Sequence, residues 1–260
     1  MTDGSTSNIH ILTIDYRGYG LSTGVPSEQG VTTDAIATVD WAIRIASIPP
    51  SRIVILGHSL GTAISAAVAE HYTKQGIEFS GVVLVAPFTS MQNLLSTYSI
   101  GGLVPLLSPL KLYPALQTHF KSYFKGKWLS IDRIANFVRL SKRVRLFLVH
   151  SRNDQIIPWT HSDALFASAA NATIEGGMEE ELLLKMKARS TIEVGEGFIS
   201  TWKSGTDKII TEEIITYGRE FPYCIVFLSA NPSIDHSRIL TYAPVTLAVW
   251  EAFGLHQNRA

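Results

Sequence analysis

Ser59 lies in the run Arg52-Ile53-Val54-Ile55-Leu56-Gly57-His58-Ser59-Leu60-Gly61-Thr62-Ala63, where Gly57, Ser59 and Gly61 form Gly-x-Ser-x-Gly. The pattern alone is weak, since ordinary glycine and serine frequencies produce it in roughly one chain in ten of this length. Its surroundings give it weight. An apolar run reads as a strand before it, and a run of small residues reads as a helix after it. A serine on a tight strand-to-helix turn is the arrangement of an acyl-transfer nucleophile, and the turn needs small neighbours because strand and helix pass close together. Gly57 and Gly61 are expected to supply that room, and Ala63, Ser65, Ala66 and Ala67 keep the helix slim. Such a turn places Ser59 at a helix N-terminus, where free N–H groups favour a developing oxyanion.

A serine hydroxyl needs a base to take its proton, and the base needs an acid to orient it. On this kind of turn the partners follow in the order acid, then histidine. The acid is expected at Asp154, in His150-Ser151-Arg152-Asn153-Asp154-Gln155-Ile156-Ile157-Pro158, just past the end of a buried strand. The competing reading is an ordinary Asn-Asp turn. The base is expected at His236, in a loop after the last strand and before the last helix. His58 adjoins the nucleophile and is read as lining the pocket. The remaining histidines fall in strands, in helices or out of order, with His150 ending the strand that leads to Asp154 and His161 flanking a helix. No H-E-x-x-H or Cys-paired spacing suggests a metal, and no Gly-x-Gly-x-x-Gly or P-loop suggests a nucleotide, so no cofactor is expected.

The elements that would position these residues alternate. Residues 9–15, 53–57, 82–86, 144–150 and 223–228 read as buried strands, and residues 32–46, 60–75, 163–170 and 240–253 read as helices. Thr32 or Thr33 is the expected cap of the first helix. Continuous apolar strands alternating with helices predict an α/β fold with a mostly parallel sheet covered on both faces. Two stretches break the rhythm. Residues 91–139, rich in Leu, Tyr, Pro and Lys, read as a cap or lid. Residues 172–219 read as a second insertion, with a helix over 178–188 that carries Leu182, Leu183, Leu184 and Met186 on one side. The strand at 9–15 has no earlier partner in the sequence, so the first strands of the sheet are expected to be missing.

Composition excludes several classes. The 260 residues are 46% hydrophobic and 17% charged, which fits a folded core rather than a disordered chain. Lys+Arg and Asp+Glu are both 22, so no basic excess points to nucleic acid. No signal-peptide or membrane-spanning stretch is evident, and the lone Cys224 allows no intrachain disulfide.

These residues resemble the α/β-hydrolase family, and within it the α/β-hydrolase-domain-12 branch and its fungal relatives. The likeness is carried by the Ser59 turn and by Asp15-Tyr16-Arg17-Gly18-Tyr19-Gly20-Leu21-Ser22-Thr23-Gly24. It continues in Pro26-Ser27-Glu28, Trp41-Ala42, Ile48-Pro49-Pro50-Ser51-Arg52, and Asn153-Asp154 to Trp159. It covers roughly residues 9–170 and 220–254, in one domain over 1–260. The resemblance implies hydrolysis of carboxylic esters, with monoacylglycerols and lysophospholipids as typical substrates. It also implies membrane-surface association, because such relatives often carry an N-terminal anchor in the endoplasmic reticulum. One oxyanion N–H would come from Leu60. The second would come from a His-Gly loop that precedes this segment in the family and is absent here, so the chain is expected to be an N-terminally shortened member. The alternatives are an impaired pseudo-hydrolase that binds a ligand or partner, and a thioesterase or peptidase on the same fold.

Overall fold

A computed structural model describes residues 9–97, 99–100, 104–105, 126–154, 156–194, 197–205, 207–215 and 243–253. The predicted strand at 223–228, the predicted base His236 and the apolar residues Leu103, Leu106, Leu107, Leu110, Leu112 and Tyr113 lie outside them. Among the described residues the central sheet has six strands: β1 (Val54–His58), β2 (Gly81–Val85), β5 (Val144–Ser151), β6 (Thr191–Val194), β7 (Gly197–Ser204) and β8 (Lys208–Ile215). Their order is β1-β2-β5-β8-β7-β6. β1, β2, β5 and β8 run parallel, and β7 and β6 complete the sheet antiparallel. A separate two-stranded pair joins β3 (Ser99–Ile100) to β4 (Val104–Pro105).

Both faces of β2 and β5 are largely apolar because both are covered. Val82, Leu84, Leu146 and Leu148 face helices α2 (Leu60–Thr73), α4 (Ser130–Leu140) and α5 (Thr160–Ala172). Val83, Val85, Phe147 and Val149 face α7 (Ala243–Ala252) through Val245, Ala248 and Ala252. Removing this much apolar surface from water is the main force that holds the layers together.

Four sequence expectations change. Residues 9–15 form no strand, and Ile11 and Leu12 stand 86% and 51% exposed. β1 is an edge of the sheet, so among the described residues no strand lies beyond it to complete a ladder with the 9–15 segment. The first helix, α1 (Glu28–Asp40), begins four residues before Thr32. Ser27 caps it through a hydrogen bond from Gly30 N–H, and a π-helical turn (Trp41–Ile45) follows. The segment 172–219 supplies α6 (Glu180–Ser190) and three strands of the main sheet. On α6 only Leu183 is buried, because consecutive residues point about 100° apart and Leu182 and Leu184 cannot share its face.

The segment 91–139 opens with α3 (Met91–Thr97) and closes with α4. α4 is a core helix that buries Ile134, Phe137 and Val138, so residues 130–139 are not part of a cover over the site.

Candidate active site

Ser59 follows the last residue of β1 and caps α2 with φ 53° and ψ −123°. This backbone is costly for a residue with a Cβ and persists only where its surroundings enforce it. The Ser59 N–H donates to Val85 O at 3.0 Å, and the Ser59 carbonyl accepts from Thr62 N–H at 2.9 Å and from Thr62 Oγ1 at 2.6 Å. The turn is therefore locked to β2 on one side and to α2 on the other. Leu60 is the first residue of α2, and its N–H has no intrahelical acceptor. An oxygen that gains charge beside Ser59 would meet that N–H and the positive end of α2.

Strand and helix touch at Gly57. A Cβ there would lie 2.5 Å from both the Gly61 carbonyl oxygen and Ser65 Oγ. Gly61 itself has open space around the position of a Cβ. The expectation that both glycines make room is corrected: the room is needed at Gly57, and Gly61 contributes only a backbone that passes close by. His58, the last residue of β1, is half-buried.

Asp154 is three residues past the end of β5 and is 8% exposed. Its Oδ1 accepts from Ile156 N–H at 2.8 Å and Ile157 N–H at 2.9 Å, which fixes the carboxylate in a tight turn. Ser59 and Asp154 both leave the C-terminal ends of parallel strands, with β2 between them. Two strand spacings separate β1 from β5, roughly 10 Å. The geometry brings nucleophile and acid candidates to one end of the sheet. His236 lies outside the described residues.

The sequence reading gave no role to a buried polar cluster beneath Asp154. His150 is fully buried. Its Nε2 lies 2.8 Å from Ile157 O and 3.4 Å from Asp154 Oδ2, and its Nδ1 lies 2.7 Å from Ser162 Oγ. His161, 5% exposed, accepts at Nδ1 from Thr89 Oγ1 at 3.0 Å. Burial, and then the nearby His150, push its pKa down to about 4. The available signal was a histidine four residues before the acid, near the end of a largely apolar strand.

A second buried polar group lies on β8. Glu212 is fully buried, with Oε2 2.6 Å from Lys187 Nζ, which also bonds Asp163. Burial pushes its pKa up to about 7, against the pull of Lys187. Among the described residues no group of three or more His, Cys, Asp or Glu could hold a metal ion, and no helix is long and apolar enough to cross a membrane. An open depression of about 770 Å³ beside Asp15, Arg17 and Asp34 includes neither Ser59 nor Asp154 in its lining.

Comparison with known proteins follows the same outline. The protein-family model Hydrolase_4, described as "Serine aminopeptidase, S33", matches residues 5–134, which include the Ser59 turn and end before Asp154. Human ABHD12B is 34% identical over 65% of this chain and 44% of its own length. The lysophosphatidylserine lipase ABHD12 of Macaca fascicularis is 26% identical over 65% of this chain and 40% of its own length. Among solved structures, an alpha-beta hydrolase from Vibrio vulnificus aligns with a TM-score of 0.48 at 24% identity, over 61% of this chain and 51% of that one. The chain thus spans less than half the length of these two curated relatives.

Proposed function

Because the chain belongs to the Hydrolase_4 family of serine aminopeptidases, S33, we propose that it cleaves carboxylic esters through Ser59, with lipid esters such as monoacylglycerols or lysophospholipids as the substrate class. The observation that carries this reading is the backbone of Ser59, φ 53° on a strand-to-helix turn that β2 and α2 both hold. Strain of this kind, fixed at a tight turn between strand and helix, is the signature of a nucleophile set above a sheet. The lipid assignment takes support from the relative named a lysophosphatidylserine lipase and from the apolar content of the segment around residues 103–113, read as part of a cover over the site.

The chemistry follows from the three side chains. His236 takes the hydroxyl proton as Ser59 Oγ attacks the ester carbonyl carbon. The carbonyl electron pair moves onto its oxygen, which the Leu60 N–H stabilises. Collapse of the tetrahedral intermediate expels the alcohol, which leaves with the proton from His236. Water then repeats the sequence on the acyl-enzyme, releasing the acid and restoring Ser59. Asp154 orients His236 and stabilises its charged form.

The family description favours a second reading, hydrolysis of amides at a peptide N-terminus. A panel of lysophospholipids, monoacylglycerols, p-nitrophenyl esters and aminoacyl p-nitroanilides separates the two. Turnover of acyl esters, lost in Ser59→Ala, supports the ester reading. Preferential release of nitroaniline supports the peptidase reading. Binding of a lipid ester with no turnover of any substrate would instead identify a ligand-binding member.

A further inference from the structure

We propose that His150 is a positioning residue for the acid of the site: it clamps the turn that carries Asp154 and thereby fixes the carboxylate that orients His236. The inference rests on the assignment of Ser59, Asp154 and His236 as nucleophile, acid and base.

The hydrogen bonds close a ring. A carbonyl oxygen only accepts, so the 2.8 Å contact between His150 Nε2 and Ile157 O requires the hydrogen to be on Nε2. In the uncharged ring Nδ1 then accepts, and Ser162 Oγ donates to it at 2.7 Å. The Ile157 residue held by its carbonyl is the same residue whose N–H donates to Asp154 Oδ1 at 2.9 Å. Asp154 Oδ2 lies 3.4 Å from the same Nε2. His150 thus reaches the carboxylate in two ways, through the Ile157 peptide and through the nearby Nε2–H.

Location argues against an idle core histidine. His150, Ser151, Ser162 and Ile157 are each 1% exposed or less. A strand whose buried positions 146–149 are Leu, Phe, Leu and Val carries an imidazole at 150, one residue before it ends. Burying a polar ring is costly unless its hydrogen bonds are made, and here both nitrogens have partners. Ser162 is fixed in turn by the first turn of α5, through its N–H to Trp159 O at 2.9 Å. The acid turn is therefore tied through one ring to the helix that follows it. Besides Asp154, His161 lies near the ring, and burial keeps it uncharged down to about pH 4.

The test compares two amides of similar polarity. A glutamine at 150 can place its N–H₂ where Nε2 stands and still donate to Ile157 O, whereas an asparagine reaches only the Nδ1 side, toward Ser162. Ester turnover per titrated Ser59, its pH profile and the rate of fluorophosphonate labelling are measured for wild type, H150Q, H150N, D154N and H150N/D154N. H150Q is expected to stay close to wild type. H150N is expected to lose about 10- to 100-fold in kcat, the range of one hydrogen bond to a charged group, with KM little changed. Its acid limb should move to lower pH, because a misplaced Asp154 stabilises the charged form of His236 less well. Adding H150N to D154N should cost little more, since the carboxylate it positions is gone. Equal rates and pH profiles for H150Q and H150N, or an undiminished loss in the D154N background, would overturn the proposal. Wild-type turnover that survives D154N, or Ser59 that never labels, would instead remove the triad assignment on which it rests.

Discussion

A Cβ on Gly57 would lie 2.5 Å from the Gly61 carbonyl oxygen, so β1 and α2 meet where no side chain fits. The contact is to backbone and cannot be relieved by a rotamer change. Gly57→Ala is therefore expected to destabilise the fold by about 1–3 kcal/mol, the usual cost of overpacking, and to slow labelling of Ser59. Gly61→Ala meets nothing within 4 Å and should leave the urea midpoint nearly unchanged. Equal losses in the two variants would contradict this geometry.

Acid stability should depend on His161. Its pKa in the folded chain is about 4, below the ordinary 6.5. Between those values the unfolded chain binds a proton that the folded chain refuses, so stability falls as pH drops from about 6.5 to about 4. In His161→Asn the side-chain amide oxygen reaches the Nδ1 position and gives the Thr89 contact an acceptor that does not titrate, and the decline in urea midpoint between pH 7.5 and 4.5 should shrink. An unchanged decline would assign it to other groups.

Glu212 has the opposite sign. Its pKa rises from 4.5 to about 7 in the folded chain, so the folded state holds a proton that the unfolded state has released. Its contribution is intact below about pH 4.5 and is lost as pH rises through about 7. Glu212→Gln should therefore compare better with wild type at pH 8 than at pH 5. Melting temperatures of both proteins at the two pH values decide it, and a difference that does not change with pH would refute it.

Much of the frame was legible because its residues answer to one local demand each. β1, β2 and β5 are dominated by apolar residues, and β2 and β5 show the burial of strands covered on both faces. Ser59 and Asp154 were marked by residue types that a strand-to-helix turn and a strand-end loop require. The strand expected at 9–15 failed because a strand's hydrogen bonds belong to its neighbour, and local sequence cannot show whether one is there. β8 was hidden by chemistry. Its inward face is Ile210, Glu212 and Ile214, and a buried carboxylate interrupts the alternation that would have revealed it. The partner that makes Glu212 tolerable, Lys187, is 25 residues away on another element. His150 was passed over for a similar reason, because its importance lies in the Ile157 carbonyl it meets.

The start of α1 follows the same logic on a smaller scale. Thr32 and Thr33 are inside the helix, and Ser27 accepts from Gly30 N–H at 3.1 Å. Ser27→Ala should cost about 0.5–2 kcal/mol of stability, and Thr33→Ala much less. Denaturant midpoints of the two variants would check this, and a larger loss at Thr33 would restore the cap suggested by sequence.

The central claim is that Ser59 is the nucleophile. The most direct measurement is intact-mass and peptide mapping of the folded chain after treatment with a fluorophosphonate. The account predicts one adduct, on the peptide that contains Ser59, absent in Ser59→Ala and slowed in His236→Ala and Asp154→Asn. An adduct on another residue, or labelling of Ser59→Ala at the wild-type rate, would contradict it.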